Sequence, residues 1–152
     1  MALKQAPQVA ANKSAYLTPD DASCLVPVSG TYVVSATNPA AIGDIIEMVA
    51  LPEECVVVDT VLAFDAVASA ALDVGVLSGA YGKADNARTM GNEFNAAQSI
   101  AAAGMARAAK PAHAVTPGTA VRGLGVKVAG AALTNGTKVT LTAYIRQQYI
   151  GA

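Results

Sequence analysis

Between Asp44 and Gly79 the chain reads DIIEMVALPEECVVVDTVLAFD, passes an alanine-rich joint, and resumes as ALDVGVLSG. Runs of β-branched and aliphatic residues this short, each stopped by a turn signal, predict strands rather than helices. Asp44 to Leu51 sets Ile45, Glu47, Val49 and Leu51 on one face and Ile46, Met48 and Ala50 on the other. Both faces are apolar, so this strand is expected to be covered on both sides. Pro52-Glu53-Glu54 is expected to turn, because proline presets the turn backbone and the two carboxylates prefer water. Cys55 to Asp65 then places Val56, Val58, Thr60, Leu62 and Phe64 on one side, with Asp59 and Asp65 marking a half-exposed opposite face. Leu72 to Leu77 alternates cleanly, with Leu72, Val74 and Val76 sharing a face.

The rest of the chain is read against that core. Gly79 to Asn86 is a polar, glycine-bearing loop, after which Asn92 is expected to cap a short helix through Phe94, Ala97 and Ile100, ending at Gly104. Val121 to Val128 is a strand whose Gly123 and Gly125 allow a close neighbour. Asn135-Gly136 is the strongest short-range hairpin signal, and it leads into a strand from Thr137 to Ile145. Six or seven strands and one helix predict a mainly β, antiparallel β-sandwich of jelly-roll-like kind, with a small barrel as the alternative.

Residues 1–38 contain Pro7, Pro19, Pro27 and Pro39 close behind, with Thr31 to Ser35 as the one strand-like run. They are expected to form an extended N-terminal arm, with an ordinary frayed terminus carrying one edge strand as the alternative, leaving 39–152 as the β-sandwich domain. At 152 residues the chain has room for one core. Tryptophan is absent, phenylalanine occurs twice, and alanine fills 34 positions. A buried Val, Leu or Ile contributes roughly 1.5–3 kcal/mol and alanine much less, so the core is thin for its length. A thin core with 53% hydrophobic residues favours association that covers the remaining apolar surface.

A formal net charge of −1 without a basic run argues against direct nucleic-acid binding and against an anionic membrane surface. No apolar stretch is long enough to span a bilayer, and MALKQAPQVAANKS has no secretory core. Cys24 and Cys55 suit neither a zinc cluster nor a disulfide framework, and both are expected to be free thiols in a reducing cytosol.

Candidate chemistry is sparse. His113 is the one histidine, and neither Ser78 nor any other serine sits in a Gly-x-Ser-x-Gly elbow to accompany it. Asp59, Asp65 and Asp73 lack the loop spacing of a calcium site, and Glu53-Glu54 and Asp20-Asp21 are adjacent acids that diverge in turns. Gly123-x-Gly125 is too short for a dinucleotide site, and Asn12-Lys13-Ser14 and Asn135-Gly136-Thr137 match the glycosylation pattern without a secretion signal. No catalytic, metal or cofactor-binding residues are assigned.

Gly43-Asp44-Ile45-Ile46-Glu47-Met48-Val49-Ala50-Leu51-Pro52, the Val56 to Asp65 strand, Leu72 to Gly79, and Arg122 to Val128 before Thr137 to Arg146 together span about two thirds of the chain. This set resembles the capsid decoration, or cement, proteins of tailed bacteriophages. The resemblance implies a non-enzymatic virion protein on the outer surface of the mature capsid, assembled in the host cytoplasm. It implies a homo-oligomer, dimer or trimer, that stabilises the shell by bridging neighbouring major capsid subunits. The arm and the tail from Arg146 are the expected attachment elements. The competing readings are another β-rich virion component, such as a tail tube or head completion protein, and a small ligand-binding or enzymatic sandwich using His113.

Overall fold

The computed structural model describes residues 2–5, 25–110 and 115–147. His113, Cys24, Asp20-Asp21, Asn12-Lys13-Ser14, most of the expected arm and the end of the tail lie outside these residues. Nine strands are formed among the described residues: β1 (Leu3–Gln5), β2 (Val26–Val33), β3 (Ile45–Leu51), β4 (Cys55–Phe64), β5 (Ala71–Val76), β6 (Asn95–Ser99), β7 (Gly104–Arg107), β8 (Arg122–Ala129) and β9 (Lys138–Gln147). They build two sheets, one ordered β1-β3-β8-β5-β6 and the other β2-β9-β4-β7. All pairings are antiparallel except β1 on β3. The protein is mainly β, and the inner faces of the two sheets meet in one apolar cluster, a sandwich-like arrangement. Val26–Val33, within the stretch expected as an arm, is a strand of the second sheet paired along its length with β9.

β3 is buried at all seven positions, as its two apolar faces predict. Ile46 and Met48 enter the central cluster, and a bulge between Glu47 and Val49 turns Val49 and Leu51 into it as well, away from the Ile45 and Glu47 face on which alternation sets them. β9 sends Val139, Leu141, Ala143 and Ile145 into the same cluster, each at most 3% exposed. Tyr32 closes it from β2, and its phenol donates to the Asn38 carbonyl at 3.0 Å. Burial raises the Tyr32 pKa, with the nearby Asp44 charge adding to the effect.

Three expectations are corrected. The helix from Asn92 to Gly104 is absent, and β6 and β7 stand in its place. The Ile100 N–H donates to Ala70 at 3.1 Å and the Ala97 N–H to the Asp73 carboxylate at 2.7 Å, so the backbone bonds run to other strands rather than along a helix. Phe94 and Ile100, both fully buried, pin the two ends of this segment, and alanine's helix preference is too small to oppose them. In β4 the alternation breaks at a bulge between Val57 and Asp59. Val57 therefore faces the core, while Val56 is only partly buried and Val58 is 45% exposed, the reverse of the expected face. The Asn135-Gly136 turn forms, with Gly136 at φ +88°, but it is not a hairpin. β8 belongs to one sheet and β9 to the other, so the turn carries the chain between layers.

Candidate functional surfaces

The acids singled out in the sequence do not converge. Asp65 accepts from the Lys138 N–H at 2.8 Å, and Asp73 is bound to Ala97. Asp59 receives the Arg107 guanidinium, with Nε at 2.8 Å and Nη2 on the same oxygen. Each carboxylate is held by a backbone amide or an arginine in its own part of the sheet. Among the described residues no group of three or more His, Cys, Asp or Glu could hold a metal ion. Cys55 is a buried free thiol whose pKa is raised by desolvation and by the Glu54 charge, so it is a poor nucleophile. Glu53 and Glu54 are exposed in the turn after β3, as the sequence predicts.

Gly123 and Gly125 are both used for close packing, which is the reading their spacing favours over a phosphate site. A Cβ on Gly123 would lie 1.9 Å from Glu47 Oε1, and one on Gly125 would lie 2.2 Å from the Ile46 carbonyl. The absent side chain of Gly123 makes room for a buried carboxylate. Glu47 is 0% exposed, and its Oε1 accepts from Arg88 Nη2 at 2.7 Å. Its Oε2 accepts from the Gly82 N–H at 3.1 Å and from Gln5 Nε2 at 3.3 Å. Arg88 completes its bonding through Nε to the Ser78 carbonyl at 2.6 Å and Nη1 to the Lys83 carbonyl at 3.1 Å. The cluster ties the loop from Ser78 to Arg88, and strand β1, onto the outside of β3. Sequence reasoning did not single out Arg88. The available signal was Glu47 itself, since a carboxylate inside a two-faced apolar strand demands a buried cation.

Asp44 does for the chain's first residues what Glu47 does for the loop. Its carboxylate accepts from the Ala2 N–H at 2.7 Å and the Ala41 N–H at 3.0 Å.

An open cleft of about 430 Å³ lies beyond the end of β5, lined in part by Ser78, Thr89, Glu93, Thr116 and Arg122. Its charged groups are engaged by backbone: Glu93 accepts from the Val76 N–H at 2.9 Å, and Arg122 Nη2 donates to the Thr116 carbonyl at 2.8 Å. Ser78 Oγ accepts from the Thr89 N–H at 2.8 Å and faces no imidazole among the described residues. The arrangement offers hydrogen-bonding groups and no nucleophile–base pair.

The exterior of the second sheet is built of small and hydroxylic residues. Ser29 and Thr31 on β2 pair across to Thr142 and Thr140 on β9, with oxygens 2.7 and 2.9 Å apart. The large apolar side chains exposed among the described residues are Leu25, Val33, Ile42, Val58 and, at 77% exposure, Met105. On this broad β surface the hydroxylic and apolar side chains are interspersed with Lys138, Arg146 and the Asp59–Arg107 pair.

A chain of that architecture has close counterparts among phage shells. The chain is 34% identical to one in the capsid of Ralstonia phage GP4, across 97% of this chain and 99% of that one, with a TM-score of 0.86. It belongs to that family of phage capsid proteins. Two further structures share the fold: the cyanophage Pam1 capsid asymmetric unit, at 19% identity, 88% and 94% coverage and a TM-score of 0.51, and the acid-stable capsid of Helicobacter pylori bacteriophage KHP30, at 16%, 83% and 90%, with a TM-score of 0.55. No protein-family model and no curated protein matches the chain.

Proposed function

We propose that this protein is a structural, non-enzymatic virion component that binds the outer surface of the mature phage capsid and bridges neighbouring major capsid subunits. The observation that carries this reading is the end-to-end correspondence with a chain of the Ralstonia phage GP4 capsid. The broad hydroxylic β exterior and the exposed Leu25, Ile42, Val58 and Met105 support it, because contacts repeated over a lattice gain avidity without any single strong contact. A homo-oligomer, dimer or trimer, suits such a lattice. The attachment elements are the arm, chiefly the residues between β1 and β2, and the tail beyond Gln147.

Co-sedimentation tests it. The purified protein is expected to pellet with expanded capsids and to remain in the supernatant with unexpanded precursor shells. Removing residues 148–152 is expected to weaken pelleting while leaving the far-ultraviolet circular dichroism unchanged. Binding to neither kind of shell would overturn the proposal.

A further inference from the structure

Asparagine is among the chemically labile side chains, and of the six in this chain Asn135 alone precedes a glycine. With no Cβ beside it, a glycine nitrogen can attack the asparagine Cγ and close a succinimide ring. The sequence therefore marks Asn135 as the residue most open to spontaneous modification, and it stands exposed in the turn between β8 and β9. The fold works against that reaction. The Gly136 N–H, which carries the attacking nitrogen, donates to the Val34 carbonyl at 2.8 Å, and Val34 is 2% exposed. The Val34 N–H donates in return to the Thr137 carbonyl at 2.9 Å, so two backbone bonds tie the turn to the chain just beyond β2. Within the turn the Thr137 N–H donates to the Thr134 carbonyl at 3.1 Å, and the two threonine hydroxyls lie 3.0 Å apart.

We propose that Asn135 is a latent deamidation site, gated by the attachment of its turn to Val34. While the tie holds, the Gly136 nitrogen is engaged: giving up its proton, or moving onto Cγ, would leave the Val34 carbonyl without its donor. When the turn lets go, the Gly136 nitrogen bonds to Asn135 Cγ, the Cγ–Nδ2 bond breaks, and ammonia leaves with the glycine proton. Water then opens the ring at either carbonyl. One cleavage gives aspartate; the other gives isoaspartate, whose backbone runs through Cγ and is longer by a methylene. Either product adds a negative charge to a chain of formal net charge −1. The lengthened isoaspartate backbone no longer fits the spacing between Val34 and the turn, so the tie does not reclose as it was. Connections between sheets belong to the parts of a fold that open locally, and position 135 keeps a permanent record of those openings.

The test compares the purified full-length chain with a synthetic peptide of residues 131–140, which has the same Asn-Gly pair and no tie to Val34. Both are held at mildly alkaline pH, and modification at position 135 is followed by peptide mass mapping and by isoaspartate methyltransferase labelling. The folded chain is expected to react at least about tenfold more slowly than the peptide, because a tie open more than about one time in ten gives little protection. Hydrogen exchange at the Gly136 amide is read in the same samples across a series of urea concentrations below the unfolding transition. Exchange at Gly136 and modification at Asn135 are expected to accelerate together, by the same factor, while the far-ultraviolet circular dichroism stays unchanged. A folded chain that reacts at the peptide's rate would overturn the proposal. So would a slow reaction whose rate does not follow the Gly136 exchange, since protection would then come from the setting of the Asn135 side chain and not from the bond to Val34.

Discussion

Strand β3 buries a carboxylate with no exposure at all, while strand β7 holds a methionine 77% in solvent. The two strands invert what hydropathy assigns them, and the inversion separates two tasks. In β3 the charge is satisfied by Arg88, Gly82 and Gln5, and it fixes where a loop and the first strand lie. Alternative packings leave Glu47 unpaired, so the pair is expected to contribute conformational specificity more than net stability. In β7 the apolar side chain stands largely in solvent.

The comparison can be broken most forcefully at Arg88. Arg88→Met leaves Glu47 buried without its cation and is expected to cost about 3–5 kcal/mol in a urea unfolding curve. Adding Glu47→Leu is expected to return most of that loss, since an apolar pair needs no partner. Gly123→Ala forces a methyl group against Glu47 and is expected to cost about 1–3 kcal/mol by the same measurement. Tyr32→Phe removes the bond to the Asn38 carbonyl and is expected to cost about 0.5–1.5 kcal/mol. Tyr32 also gives the fold an alkaline limit. Its pKa is raised in the folded state, so its contribution is complete below about pH 10, the ordinary phenol value, and is lost as pH rises through the raised value. Tyr32→Phe should lack that part of the decline. At the other extreme, Met105→Ser is expected to change the stability of the single copy by no more than about 0.5 kcal/mol. A large loss there would mean that β7 belongs to the core after all.

The strands most legible in the sequence are those with at least one apolar row between turn signals. β3, β5, β8 and β9 lie close to their predicted limits because one or both faces read as continuous apolar rows. β4 was found, and its faces match from Thr60 onward, where Thr60, Leu62 and Phe64 are buried, but the bulge between Val57 and Asp59 reverses the stretch before it, since a single extra residue shifts every side chain on one side of it. β2 was half hidden by Pro27, a residue a sheet tolerates at an edge strand. The segment from Phe94 to Ala106 misled for a different reason. Its alanines favour a helix weakly, and the bonds that hold it as strands come from Ala70, Asp73 and β4, far away in sequence. Of the surfaces, the resemblance to phage decoration proteins was legible through the strand patterns. The Glu47–Arg88 pair and the edge position of β7 depend on which elements become neighbours, and no local pattern states that.

The gap above Gly123 is moulded to a carboxylate, which couples two positions in the history of the family. A lineage that retains Glu47 is restricted to glycine at 123, whereas one that trades the acid for a shorter side chain frees position 123 to vary and releases Arg88 from its duty. Covariation among positions 47, 88 and 123 is therefore the mark this small contact is expected to leave on related sequences.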